Sequence, residues 1–420
     1  MFSGSLIYIG ISIILIVIFI PFAGKIKYHF ILLIAALNVL TAITSAYFPE
    51  GDLHTGIIRA IVMILFFVYY IPKLELDLTT KIIIIYLVYL AILIPFSSNA
   101  ESTLSAYIRH GISLMMFPIA FAYFQNINNI HYLYFLTIIS LTLIIFNYFV
   151  AQYFGIGRTP YYEGGIYLGG GGVQQTYLIA YFLLLLPLFF HFDIPSKLKN
   201  IIYLIYPVAI IPLLLIGRRG AILGFLIGIL VYLVFTYRKS KAILVVGAII
   251  ISAVIAINLY YEQFSGILEH RMRGVEEPEK IGRFAEYYWA KDLIREKGYS
   301  HALFGSELFN YQSISRGRRA LHNDFTTILI GSGIIGLSLY MLIYIVIIMC
   351  YRRYSITIKS QSIKKELRAV LYSLIAAGFI ISISGQYYVI SALAILFILL
   401  GAILGISKDI SISDGLNSND

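Results

Sequence analysis

The sequence predicts an all-α, polytopic membrane helix bundle of about 12–13 transmembrane helices with one large outer loop. Three observations carry this. Apolar runs near 20 residues recur along the chain, each long enough to cross roughly 30 Å of hydrocarbon. Only 12% of the 420 residues are charged, against about 25% in soluble domains, and the mean hydropathy is +0.87. Finally, the basic residues segregate between alternate loops, as the positive-inside rule requires of a chain that weaves through a bilayer.

The predicted spans are 5–23, 29–48, 55–72, 81–97, 105–124, 130–154, 174–192, 199–216, 219–237, 241–261, 322–350, 369–386 and 388–406. The last two are separated only by a short turn at Gly385-Gln386-Tyr387, so twelve spans is the competing count. Leu6 to Phe22 reads as the first span, because it lacks the basic start and the small-residue cleavage site of a signal peptide. Residues 1–261 thus hold the first ten spans, 262–321 the large loop, 322–406 the last three spans, and 407–420 a tail expected to be unstructured. The single cysteine, Cys350, excludes an intramolecular disulfide and a cysteine metal cluster.

The net charge of +10 is a topological signal. One set of loops carries sixteen basic and seven acidic residues (+9) and is assigned to the cytoplasm; the opposite set carries fifteen basic and fourteen acidic residues (+1). No nucleic-acid footprint is needed to explain this balance. The residue types differ as well: twelve Lys and four Arg on the cytoplasmic side, three Lys and twelve Arg on the outer side. Lysine suffices as a point charge, whereas arginine's planar fork grips phosphate or carboxylate bidentately and keeps its proton.

Three outer features concentrate the polar residues. Gly155 to Gln175 contains four consecutive glycines, Gly169 to Gly172, which let backbone amides approach a ligand closely; the competing reading is a flexible turn into the next span. Gly170, Gly171, Gln174 and Gln175 are its candidate substrate-binding residues. Next, Arg218-Arg219-Gly220 forms a tight turn at a helix start. These arginines either snorkel to lipid phosphates or hold the diphosphate of a lipid-linked substrate with the helix N-terminus assisting.

The third feature is the loop from Glu262 to Leu321. Phe284, Tyr287, Tyr288 and Ile294 recur at helical spacing between Arg283 and Gly298, predicting an amphipathic helix on the membrane surface with Trp289 as an interfacial anchor. The loop closes on Arg316, Arg318, Arg319 and His322, followed by Asp324 and a span opened by Gly331, Gly333 and Gly336, small residues suited to close packing. His322 is a candidate catalytic or substrate-contacting group, the alternative being a helix cap. His110, beside Arg109, is a second polar spot within the bundle.

In order, spacing and side, these motifs resemble the O-antigen ligase and polymerase superfamily. The resemblance rests on Arg218-Arg219-Gly220-Ala221, Gly282-Arg283 with Trp289-Ala290, Phe304-Gly305, and His322-Asn323 with Gly331-Ser332-Gly333-Ile334-Ile335-Gly336-Leu337, over roughly residues 155 to 345. It departs at Val173-Gln174-Gln175, where the family places Pro-Asn, and at Arg-Arg-Gly in place of Ser-Arg-Gly, with Arg219 the better match to the family's arginine. The resemblance implies a C-type glycosyltransferase-like fold in the bacterial inner membrane. It implies transfer of glycan from undecaprenyl diphosphate on the periplasmic face without a metal or other cofactor. The donor and acceptor glycans and the membrane lipids are the expected partners, with a chain-length regulator and a flippase as further candidates.

The residues suit that chemistry. Cleaving the anomeric carbon–oxygen bond puts charge on the leaving diphosphate, which fixed arginines stabilise; Arg218, Arg219 and Arg283 are the candidates, with Arg318 and Arg319 in reserve. A neutral His322, oriented by Asp324, would take the acceptor hydroxyl's proton, and direct attack would invert the anomeric centre. Polymerase and ligase need the same donor grip and base. The competing class is a transporter or lipid-linked-oligosaccharide flippase, disfavoured by the lack of a clear internal repeat and by the one-sided loop.

Overall fold

The computed structural model describes residues 31–39, 68–70, 72, 74–154, 172–215, 219–236, 288, 291–292, 294–296, 298–305, 308–309, 323–383, 385 and 390–416. Within them the protein is almost entirely helical, with no strand. The main helices are α1 (Leu78–Leu93), α2 (Ala100–Tyr123), α3 (Ile130–Phe154), α4 (Gly172–Leu185), α5 (Ser196–Leu215), α6 (Arg219–Thr236), the short α7 (Tyr299–Phe304), α8 (Asp324–Ser355), α9 (Gln361–Ile383) and α10 (Ile390–Leu416). Six of the described stretches are long and apolar enough to cross a membrane, with two shorter apolar helices at Gln175–His191 and Gly220–Thr236. The chain is a multi-pass membrane protein.

Side-chain chemistry sets the helix ends. Asp77 opens α1 by accepting the amide of Thr80 at 2.9 Å, and Asn99 opens α2 by accepting that of Ser102 at 3.1 Å. Both leave helix-start amides satisfied without the next turn's help. Pro187 interrupts the regular hydrogen bonding of α4, whose last turns tighten into a 3₁₀ helix from Leu186 to His191.

α10 is the centre of the bundle: 94% of its most apolar window is buried, as expected of a helix apolar on all sides. Gly401 and Gly405 let it lie directly on α2, where a Cβ would fall 2.4 Å from the Phe117 carbonyl oxygen and 2.5 Å from that of Phe121. Gly224 and Gly228 serve α6 likewise against Ile381 and Ser373 of α9. In lipid, such small-residue seams give helices the close van der Waals contact that holds them together.

The alternate loops gather at opposite ends, as the charge pattern predicts. At the lysine-rich end, Lys408 pairs with Glu75, Asp409 accepts the Ile127 amide at 2.8 Å and Asp414 accepts the Lys359 amide at 2.8 Å. Glu366 lies there too, 3% exposed, 3.3 Å from His191 and accepting from the Tyr232 hydroxyl at 2.7 Å.

Three expectations change. The tail expected to be unstructured from Ser407 is helical to Leu416, because its acidic side chains cap backbone amides of neighbouring loops. α9 starts at Gln361 rather than 369, drawn inwards by the bonds of Glu366. It ends at Ile383 and α10 begins at Ile390, so the last two predicted spans are separate helices.

The third change is in α8, predicted as one straight span over 322–350. Gly333 interrupts it with φ 66° and ψ −172°. In a straight helix, Phe325 and Tyr344 would lie about 28 Å apart. Instead both rings meet Phe379 of α9, at 5.7 Å and 5.0 Å. Residues 324–332 therefore fold back beside residues 334–355, forming a helical hairpin with Gly333 at its tip. The part that crosses the membrane is 334–355, about 33 Å long at 1.5 Å per residue.

Candidate functional site

The hairpin carries the end of the outer loop back into the bundle. Asn323 and Asp324 are 2% and 1% exposed, one helical turn inside the end of α9, at the level of Phe379. Asn323 is the N-cap of α8: its side-chain oxygen accepts the amides of Phe325 at 3.0 Å and Thr326 at 3.2 Å. Its carbonyl takes the Thr327 hydroxyl at 2.9 Å. The capping role offered as the alternative for His322 thus belongs to Asn323. Asp324 follows in the first helical turn, where the positive end of the helix dipole favours a carboxylate. The hydroxyls of Tyr340 and Tyr344, on the second arm of the hairpin, lie 3.0 Å from each other.

Glycine makes the hairpin tip. Gly305, with φ 79°, passes so close that a Cβ would fall 2.4 Å from the Gly331 carbonyl oxygen; a Cβ on Gly333 would fall 2.2 Å from that of Leu303. The Phe304-Gly305 and Gly331-Ser332-Gly333 motifs are therefore the two sides of one backbone crossing. The predicted role of these glycines in close packing is met, with a loop segment as the partner rather than another spanning helix.

The first helices hold this crossing. The Tyr89 hydroxyl on α1 lies 2.7 Å from the Ser332 carbonyl and 3.2 Å from that of Phe304. Thr103 on α2 donates to the Leu308 carbonyl at 2.9 Å and lies 2.8 Å from the Ser97 hydroxyl. Phe309, buried with φ 56°, lies 5.6 Å from the His110 ring at a tilt of 55°, and His110 in turn lies 6.1 Å from Tyr86. His110 is thus a buried polar group under the loop, as the sequence suggested. Tyr86, Tyr89, Thr103 and Tyr340 were not singled out, because single polar groups in apolar spans leave no motif.

Of the sequence-predicted site residues, Arg218, Arg283, Arg318, Arg319, His322, Gly170 and Gly171 lie outside the described residues, as does Arg316. Arg219 is the first residue of α6 and Gln174 lies in the first turn of α4. Gln175 is fully buried and accepts from Asn147 of α3 at 3.2 Å, so this side chain joins two helices. The predicted amphipathic helix is helical where it is described, at 288, 291–292 and 294–296, with Tyr288 46% exposed.

One relation between the two halves of the predicted site is set by α9. Ile381 and Ala377 face Gly224, five residues into α6, and Phe379 faces Phe325, at the start of α8. Packed helix axes lie about 8–10 Å apart, so the starts of α6 and α8 flank the C-terminal end of α9 within about 20 Å of each other. The start of α6 and the Asn323-Asp324 pair lie towards the same end of the bundle, opposite the lysine-rich loops.

No curated protein matches the chain. A family model does: residues 202–341 match O-antigen ligase, a stretch running from α5 through the start of α6 and the outer loop to the hairpin of α8. Over those residues the chain is similar to O-antigen ligase.

Proposed function

We propose that the protein polymerises lipid-linked polysaccharide repeat units, moving glycan from undecaprenyl diphosphate to a sugar hydroxyl on the periplasmic face of the bacterial inner membrane. The observation that carries this reading is the O-antigen ligase match, whose span holds every predicted arginine and histidine of the site. In this mechanism Arg218 or Arg219, at the start of α6, and Arg283 hold the diphosphate, with Arg318 and Arg319 beside them. Charge that develops on the leaving diphosphate is stabilised more strongly than the ground state, which lowers the barrier.

His322 acts as general base on the acceptor hydroxyl, a contribution of about 10²–10⁴-fold in such reactions. Asp324, buried directly after the cap residue, orients it. Gly170, Gly171, Gln174 and Gln175 border the substrate at the start of α4, Gln175 by fixing that start to α3. Direct attack inverts the anomeric centre.

The test is glycan transfer by His322→Ala and Arg283→Ala at matched expression, read in a strain lacking the gene. Both variants are expected to lose product, and transfer at the wild-type rate by both sinks the mechanism. The deletion strain itself separates the two activities of the superfamily. Core carrying a single repeat marks a lost polymerase, whereas bare core with polymer still on undecaprenyl marks a ligase, which hands the finished chain to lipid A-core.

A further inference from the structure

We propose that Tyr89, on a helix outside the O-antigen ligase match, is a positioning residue that holds the α8 hairpin and so fixes the place of its buried N-terminal end. The catalytic consequence rests on the transfer reading above.

Breaking a helix inside a membrane protein frees carbonyl groups that have no intrahelical donor. Where bulk water is excluded, another protein group has to satisfy them. The Ser332 carbonyl, immediately before the break at Gly333, meets the Tyr89 hydroxyl at 2.7 Å. The same hydroxyl lies 3.2 Å from the Phe304 carbonyl, at the end of α7. One phenol therefore joins three elements: α1, the segment before Gly305, and the hairpin tip. Its ring also borders Gly336, whose Cβ would stand 3.1 Å from Tyr89 Cε1.

The hairpin is a lever. Residues 324–332 run from the tip back to Asn323 and Asp324, about 13 Å away at 1.5 Å per residue. A small rotation at the tip moves the far end by a large fraction of a hydrogen bond's length. Thr103, bonded to the Leu308 carbonyl at 2.9 Å, provides a second hold on the loop from α2. The N-terminal helices thus supply the fixed frame against which the loop is registered, a role distinct from lipid-facing scaffolding.

The experiment compares wild type, Tyr89→Phe and His322→Ala, with Tyr203→Phe, an exposed tyrosine on α5, as control. The probe is undecaprenyl diphosphate carrying the host's own repeat unit, isolated from a strain lacking this gene. Tyr89→Phe keeps the ring and removes only the hydroxyl. It is expected to lower kcat about tenfold, the size of one lost hydrogen bond, with KM for the donor unchanged and only a modest fall in thermal midpoint from the two carbonyls that lose their donor. Backbone hydrogen exchange at 303–305 and 331–334 is expected to rise.

Wild-type kcat in Tyr89→Phe overturns the proposal. So do unchanged exchange in those segments, or a rise in exchange spread evenly over the bundle, which would mark plain destabilisation. If wild type and His322→Ala transfer equally, the transfer reading fails by itself, and the exchange measurement still decides whether Tyr89 holds the hairpin.

Discussion

Replacing Gly333 by alanine tests the hairpin directly. The backbone there, φ 66° and ψ −172°, lies in a region open almost only to glycine, and a side chain costs about 1–3 kcal/mol in such conformations. The added Cβ would also stand 2.2 Å from the Leu303 carbonyl oxygen and 2.6 Å from the Gly305 nitrogen. Both are backbone atoms and cannot rotate aside, so the crossing must widen, at a further cost of about 1–3 kcal/mol for an overpacked site. The sum, about 2–6 kcal/mol, is large beside ordinary net stability.

Gly111→Ala is the matched control. Gly111 is buried in α2 with its nearest neighbour, Leu87 Cδ2, at an ordinary 3.5 Å. Alanine there is expected to be neutral or to stabilise by about 0.5–1 kcal/mol, through its better helix propensity. Thermal unfolding of detergent-solubilised fluorescent fusions, followed by size-exclusion chromatography, reads both variants. Gly333→Ala should melt well below wild type and lose transfer, and Gly111→Ala should not. If the two variants melt together, α8 tolerates a continuous helix and the hairpin argument is wrong.

Two further outcomes follow from the lysine-rich end. Glu366→Ala removes the shared acceptor of Tyr232 and partner of His191, and should cost about 1–3 kcal/mol, the penalty of stranding buried polar groups; an unchanged thermal midpoint would show that the trio is not coupled. Truncation after Ile406 deletes the pairing of Lys408 and the caps supplied by Asp409 and Asp414. It should sharply reduce the amount of folded protein in membranes, and full yield of the truncated chain would refute the docking role of the tail.

The bundle was legible because lipid imposes a strict pattern. Apolar runs near 20 residues marked α1 to α6 within a few residues, and lysine placement assigned each loop to an end before any contact was known. The hairpin was not legible. Gly331-Ser332-Gly333 reads equally well as a small-residue packing seam, and no local signal separates that from a break whose partner, Phe304-Gly305, lies more than twenty-five residues earlier. The tail was misjudged for a related reason. Lys408, Asp409 and Asp414 look like solvated charges in sequence, and only their distant partners, Glu75, Ile127 and Lys359, make them structural. Of the site, the motif order was readable; the burial of Asp324 and the capping role of Asn323 were not, because both depend on the fold-back at Gly333.

The most enclosed of the described helices is made after all those it packs against. α10 occupies the middle of the bundle, yet it leaves the ribosome after every helix that surrounds it. Chains emerge at about 5–20 residues per second, so α1 to α9 wait in the bilayer for seconds around a space that nothing yet fills. The full set of interhelical seams closes only when Gly401 and Gly405 slide against α2 and the terminal caps lock at the far end. A chain stalled before residue 390 lacks its axle, which makes synthesis of α10 a condition of assembly.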